Sequence, residues 1–338
     1  MEPIEGSVDP FLELATGLIP ADDEREHVLN WLANLVQNEG DPPGTYLALQ
    51  GPKGCGKNSF TAPMQRIYGT HAGIYSDPEL VCGRFTLHLA DKRLIVMDEG
   101  TFVGDPRQVD RIKSTVTATD CIYEGKGLPP IPGVNRAAFI LMTNHAHAVE
   151  ATTDERRPIV VTLGDRLRGK REFWARYYRW LEGTGPAALL WWLQRRDLTG
   201  FDPRSIPRTT ALQEQVELTL LRQPGTAWWH AILVDGAIPR ANGADGYVPL
   251  NENAPTEVPR RAVRESFDRR NMPGRATFDA TMRDVRRWSG GNIRDLRPTT
   301  DKGRIWCYEL PALQELRAAF TASTGITFDR HLVEGTAT

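Results

Sequence analysis

Nine consecutive residues, Gly51-Pro52-Lys53-Gly54-Cys55-Gly56-Lys57-Asn58-Ser59, constrain this chain more than any others. They follow a short apolar run at 45–49 and open an amphipathic stretch at 57–67, so a strand passes through a glycine-rich turn into a helix. Such a turn wraps backbone N–H groups around phosphate oxygens, and the helix N-terminus adds partial positive charge. Lys57 stands where its ammonium reaches β- and γ-phosphates. One position departs from the G-x-x-x-x-G-K-[ST] pattern. Asn58 replaces the magnesium-ligating hydroxyl, so its side-chain oxygen, Ser59 or a water must take that role. Pro63 falls early in the following helix, where it removes one helical hydrogen bond and favours a kink.

A strand feeding a helix in this way belongs to an α/β layered domain, and the chain continues the pattern. Residues 94–97, 137–142 and 158–163 are apolar without alternation, which predicts strands buried on both faces. Helices are expected around 57–67, 105–118, 170–181 and 186–196. Another, capped by Asp22 or Asp23, carries Val28, Leu29, Leu32, Leu35 and Val36 at three- and four-residue spacing. At 338 residues, and roughly 150 residues per domain, two domains are expected. The expected division is an N-terminal arm at 1–20, an α/β P-loop domain at 21–200, a partly structured linker at 201–256, a basic winged-helix-like domain at 257–325 and a tail at 326–338. The aromatic residues Trp174, Tyr177, Tyr178, Trp180, Trp191 and Trp192 fall on helical periodicity and read as packing.

Three strand ends carry chemistry. Leu94-Ile-Val-Met-Asp98-Glu99 ends a buried strand in two carboxylates, with Asp98 placed to hold magnesium and Glu99 to polarise an attacking water. The 137–142 strand ends in Thr143-Asn144, an amide able to orient that water or sense the γ-phosphate. Asp154-Glu155-Arg156-Arg157 precedes the 158–163 strand and supplies two guanidinium groups that one subunit can offer to its neighbour's nucleotide, or that pair with surface acids.

Charge is uneven along the chain. The formal net charge is −2, yet residues 257–304 hold thirteen basic residues against seven acidic ones. Arg260, Arg261, Arg264, Arg283, Arg286 and Arg287 recur at helical spacings on two amphipathic segments. Lys302 and Arg304 lie on a hairpin expected within 293–310, turning at Asp301-Lys302-Gly303. The pattern fits phosphate contact or solvated helix faces paired with Asp268, Asp279 and Asp284, whereas Trp288, Trp306 and Phe278 read as core. Cysteines 55, 82, 121 and 307 form no C-x-x-C pair, and His145 and His147 have no ligand pattern around them, so neither zinc nor a disulfide framework is expected. With no run of 18 apolar residues and an acidic start, a cytoplasmic protein without membrane contact is expected.

Taken in order, the P-loop, Gly83-Arg84-Phe85, Lys92-Arg93, Asp98-Glu99, Tyr123-Glu124-Gly125-Lys126-Gly127, Thr143-Asn144 and Arg156-Arg157 resemble the superfamily 3 helicases, AAA+ ATPases of viruses, phages and plasmids. The match spans about 22–200, and is nearest to the helicase part of phage and plasmid primase-helicase proteins. The resemblance implies a hexameric ring that threads single-stranded DNA, moves 3′ to 5′ and uses ATP with Mg²⁺. It makes Lys57 the phosphate ligand, Asp98 and Glu99 the metal and water residues, and Asn144 the sensor. Arg157 becomes the first candidate for an arginine finger and Arg156 the second. Lys126 becomes a channel hairpin residue on the DNA backbone. Arg283, Arg286, Arg287 and Lys302 are the C-terminal candidates for duplex DNA. A separate primase or polymerase is the expected partner. The rival expectation is an ATP-switched DNA-binding regulator or origin-recognition protein that binds nucleotide without unwinding.

Overall fold

Five apolar strands form the centre of the first half of the chain in the computed structural model, which describes residues 1–98, 106–239, 246–270, 277–301 and 303–328. In chain order this half holds α1 (Asp9–Leu18), α2 (Asp22–Gln37), β1 (Tyr46–Gln50), α3 (Lys57–Tyr68), β2 (Ala72–Tyr75), α4 (Glu79–Cys82), β3 (Leu94–Asp98), α5 (Pro106–Thr117), β4 (Asp120–Tyr123), β5 (Ile131–Val134), β6 (Ala138–Thr143), β7 (Pro158–Thr162), α6 (Arg171–Glu182), α7 (Gly185–Gln194) and α8 (Thr210–Leu221). The sheet runs β2-β3-β6-β1-β7 with every pairing parallel. Leu47, Leu49, Val96, Ile140, Met142, Ile159 and Val161 share a core with α1, α2, α3, α6 and α7. The alternate residues Ile95 and Phe139 line the opposite face beside Ser114 and Thr115 of α5. Covering both faces of a parallel sheet is what removes the polar alternation from its strands. β2 escapes the sequence pattern because Ala-Gly-Ile-Tyr offers only one buried residue, Gly73.

Two expectations are corrected here. Residues 1–20 are not a loose arm. Phe11, Leu14, Ala15 and Leu18 of α1 are fully buried, and the Phe11 ring stacks on Phe60 with centroids 5.3 Å apart. The short helix is hidden in the sequence by its flanking prolines, one of which occupies its first turn, where a missing N–H costs nothing. The boundary expected near Gly200 is also displaced. The chain forms two compact units, Met1–Gln215 and Val216–Thr338, so that the division falls within α8. The Thr209 hydroxyl donates to the Val160 carbonyl at 2.8 Å, which fastens the residues before α8 to β7.

The second unit holds α9 (Pro224–Asp235), β8 (Ala237–Pro239), β9 (Tyr247–Pro249), β10 (Thr256–Pro259), α10 (Arg260–Arg270), α11 (Phe278–Trp288), β11 (Arg294–Leu296), β12 (Thr299–Thr300), β13 (Gly303–Arg304), β14 (Cys307–Leu310) and α12 (Leu313–Thr324). Its main sheet is antiparallel in the order β10-β14-β11, with β12–β13 and β8–β9 as separate hairpins. Trp228, Trp229, Phe267, Val285, Trp288 and Phe320 form its core, and the Trp228 indole donates to Ser266 Oγ at 3.1 Å. Much of the expected linker is therefore core, because Trp228 and Trp229 of α9 are buried. Trp306, read as core, is instead 47% exposed, with the Arg260 and Arg297 guanidinium carbons 4.7 and 5.0 Å from its ring centre.

Candidate active site

Parallel strands direct their carboxyl ends to one edge of a sheet, and ligands of open α/β sheets bind at that edge. Among the connections at that edge, residues 51–56 follow β1 and residues 144–157 follow β6, while β3 ends there in Asp98. Because β6 lies between β3 and β1, Asn144 stands beside the glycine loop, with Asp98 one strand further on. Glu99 lies outside the described residues.

The glycine loop enters α3 through Gly56, whose φ of 119° is left-handed. A methyl at Gly56 would also lie 2.9 Å from the Trp174 ring, so close approach and backbone conformation both demand glycine. Lys57 is buried, and its Nζ donates to Gly51 O (2.6 Å), Pro52 O (3.1 Å) and Asn144 Oδ1 (2.6 Å). Its three acceptors are neutral oxygens, with no carboxylate among them. The amides of the first turn of α3 have no intrahelical acceptor and add to its positive field.

Asn58 Nδ2 donates to Asp98 Oδ2 at 3.2 Å, so the unusual residue of the loop meets the strand-end carboxylate directly. Ser59 and Tyr178 line the same cavity, with their two hydroxyls 3.0 Å apart. Pro63 leaves the Ser59 carbonyl without its helical donor, and the Tyr177 hydroxyl of α6 takes that place at 2.5 Å. Burial pushes the Tyr177 phenol up, so it remains a donor. Lys53, Asn58, Asp98, Asn144, Trp174 and Tyr178 line a cavity of about 550 Å³ over the loop.

Gln215, which the sequence did not single out, is fully buried and accepts from the Ala148 and Val149 amides at 2.7 and 3.2 Å while donating to Ala146 O at 2.9 Å. It fixes the loop that begins with Asn144. An isolated glutamine within a helix carries no signal that would reveal this.

Arg156 and Arg157 lie at the other edge. Tyr46 is level with Pro158 and Gln50 with Thr162, so five residues of strand, about 16 Å at 3.3 Å per residue, separate the arginines from the glycine-loop edge. Glu155 is buried, accepting from Lys113 Nζ at 2.6 Å, with Arg157 Nη1 at 3.4 Å. Burial raises the Glu155 carboxyl, but the Lys113 hydrogen bond and charge, the Arg156 amide and the Arg157 charge together hold it below the usual range. Arg157 is half-buried beside this acid, whereas Arg156 is exposed.

Lys126 occupies the exposed turn of the antiparallel β4–β5 hairpin. Leu128 N donates to Gly125 O at 3.1 Å, and Gly127 supplies the positive φ, 75°, that this turn requires. The loop is clamped by Arg84, whose Nε donates to Glu124 Oε1 at 2.7 Å. In the second unit Arg283 is exposed on α11. Arg287 pairs with Asp284 at 2.9 Å, and Arg286 is committed to Ile293 O (2.7 Å) and Asp295 (2.8 Å). Lys302 lies outside the described residues. Among the described residues no group of three or more His, Cys, Asp and Glu is placed to hold a metal ion, and no helix is long and apolar enough to cross a membrane.

A model of a family of unknown function, DUF5906, matches residues 49–157, the stretch from the end of β1 to the start of β7. No curated protein matches the chain. Among solved structures, the NrS-1 C-terminal region (305–718) superposes with a TM-score of 0.65 at 15% identity, covering 92% of this chain and 77% of that one. A second form of that region gives 0.64 at 14%, covering 91% and 77%. A JCV helicase is similar over 67% of this chain and 71% of its own at 14% identity, with a TM-score of 0.35, too loose to carry an argument. The likeness to the NrS-1 region is one of fold.

Proposed function

We propose that this chain is an ATP-dependent, ring-forming DNA helicase that moves on single-stranded DNA, 3′ to 5′ by family resemblance, in the replication of a phage, plasmid or other mobile element. The observation that carries this reading is the meeting of Lys57, Asn58, Asp98 and Asn144 in one cleft at the carboxyl edge of the sheet, with an exposed arginine at the opposite edge. A triphosphate suits the cleft, since the loop amides and Lys57 answer its charge and Asn144, hydrogen-bonded to Lys57, stands beside the γ-phosphate end. Asp98 and the Asn58 side-chain oxygen, once that amide is rotated, are the donors for Mg²⁺. Ser59 lines the same cavity with its hydroxyl 3.0 Å from that of Tyr178, and its remaining lone pair makes it a further candidate donor. Bound there, magnesium would supply charge neutralisation to a bound triphosphate. Glu99, next in sequence to Asp98, is assigned to the attacking water.

An arginine about 16 Å along the strands from its own glycine loop serves a neighbour's nucleotide, not its own. Exposure favours Arg156 for that role, and Glu155 positions it by holding Arg157 and Lys113 behind it. Lys126, at the tip of a clamped hairpin turn, contacts the phosphate backbone of the strand. The second unit supports a winged-helix reading through the run β10, α10, α11, β11, β12–β13 hairpin, β14 within it and its sheet order β10-β14-β11. Arg283 and Arg287 are its duplex contacts, while Arg286 maintains the fold. A hexamer and a separate primase or polymerase complete the proposal.

The test is ATP hydrolysis with and without single-stranded DNA, alongside displacement of a labelled strand, for wild type, Lys126→Ala and Glu99→Gln. The helicase predicts stimulated turnover and unwinding that disappear in Lys126→Ala, and no turnover in Glu99→Gln. Nucleotide binding with neither stimulation nor displacement points instead to the DNA-bound regulator.

A further inference from the structure

We propose that the Trp174–Tyr178 ring pair on α6 seats the nucleotide base and grips it by its face, so that the site takes purine nucleoside triphosphates with little discrimination between adenine and guanine. The inference rests on reading the cleft as a nucleoside triphosphate site and adds the identity of the base to it. Trp174 and Tyr178 are four residues apart on one helix and therefore share a face. Their rings lie 5.9 Å apart at an interplanar angle of 29°, an offset stack. Both line the cavity over the glycine loop, and the Trp174 ring sits so near Gly56 that no side chain fits between them.

Packing accounts for only part of this pair: Trp174 lies against the core from a partly covered position, and Tyr178 is the more open ring. On the same helix Phe173, Tyr177 and Leu181 are buried and fill the core, whereas Tyr178 is 45% exposed and Trp174 is only partly covered. An aromatic platform left open beside a phosphate loop has the chemistry of a base-stacking surface, since every base presents a π-face. Edge reading has little to work with at this end. The Trp174 indole N–H is committed to Leu167 O at 2.9 Å, and the Tyr178 hydroxyl to Ser59 Oγ at 3.0 Å. What remains are ring faces, which reward the larger overlap of a purine and do not sense its exocyclic groups.

Isothermal titration calorimetry on the full chain with Mg²⁺ tests this, using ATP, GTP, CTP and inorganic tripolyphosphate as probes. In wild type, ATP and GTP bind within about threefold of each other and at least about tenfold more tightly than tripolyphosphate, with CTP between. Trp174→Ala and Tyr178→Ala each weaken ATP about tenfold to a hundredfold and leave tripolyphosphate binding as a readout of the intact phosphate end. Should Trp174→Ala fail to fold, Tyr178→Ala at the more exposed ring decides alone. ATP no tighter than tripolyphosphate, GTP more than about tenfold weaker than ATP, or unchanged ATP affinity in Tyr178→Ala each overturns the stacking seat while leaving the phosphate site standing. Failure of wild type to bind either ATP or tripolyphosphate removes the nucleotide reading itself, and the seat with it.

Discussion

Two adjacent arginines show how residue identity alone underdetermines a role. Arg157 stands beside Glu155, a buried acid that also receives Lys113, while Arg156 projects outward from the same turn. Replacing Glu155 by Gln leaves two cations facing a neutral amide. Removing one member of a buried pair costs about 3–5 kcal/mol, and because these cations are partly exposed we expect about 3 kcal/mol. Differential scanning calorimetry should show the transition of the first unit falling by about 6–12 °C. Arg156→Ala should leave that transition in place and abolish hydrolysis by the assembled protein, which separates the positioning acid from the group it presents. The pH dependence has a definite sign. The carboxyl of Glu155 sits below its usual 4.5, so the stability it contributes is complete above that value and is lost as the pH falls through the lower folded value. In Glu155→Gln this acid-side loss should be absent from a series of melting curves.

At the scale of elements, α1 and α11 carry the sharpest expectations. Phe11 is fully buried and stacked on Phe60 of the helix that leaves the glycine loop, so Phe11→Ala should cost about 3–5 kcal/mol in urea unfolding of the full chain. On α11, changing Arg283 and Arg287 to Ala should weaken duplex DNA binding and lower its salt slope by about one for each phosphate no longer neutralised, with stability unchanged. Arg286→Ala should instead destabilise the unit, because it strips Asp295 and the Ile293 carbonyl of a donor. The elements that the sequence discloses are those whose signal is local. Four strands of the parallel sheet read as unbroken apolar runs, and the glycine loop announces its own strand and helix. β2 and α1 are illegible because one is too short to show a pattern and the other is amphipathic only toward a core that the rest of the chain builds. The same limit hides Gln215 and the Trp174–Tyr178 pair. Helical spacing reveals which aromatics share a face, and only the fold shows that two of them open onto the phosphate loop.

For the whole molecule, the strand register bears directly on the proposed assembly. Glycine loop and Arg156 occupy opposite edges of one sheet, so under the proposed reading a complete catalytic set needs the carboxyl edge of one copy against the amino edge of another. That contact is head-to-tail, and head-to-tail contacts close into rings when the rotation permits. The arrangement predicts complementation between two inactive proteins. Lys57→Ala has a damaged glycine loop and an intact arginine, whereas Arg156→Ala has the reverse. Mixed in equal amounts under conditions that allow exchange, they create interfaces in which an intact loop of the second faces an intact arginine of the first. Random mixing makes such an interface in roughly one case in four, so hydrolysis should recover toward a quarter of the wild-type rate if sites act independently. Recovery should rise with protein concentration, since it depends on assembly. An arginine acting within its own chain predicts no recovery at any ratio, because then neither variant holds both groups. Steady-state hydrolysis across a titration of one variant into the other distinguishes the two arrangements, and the same titration with strand displacement as the readout shows how many intact interfaces unwinding requires.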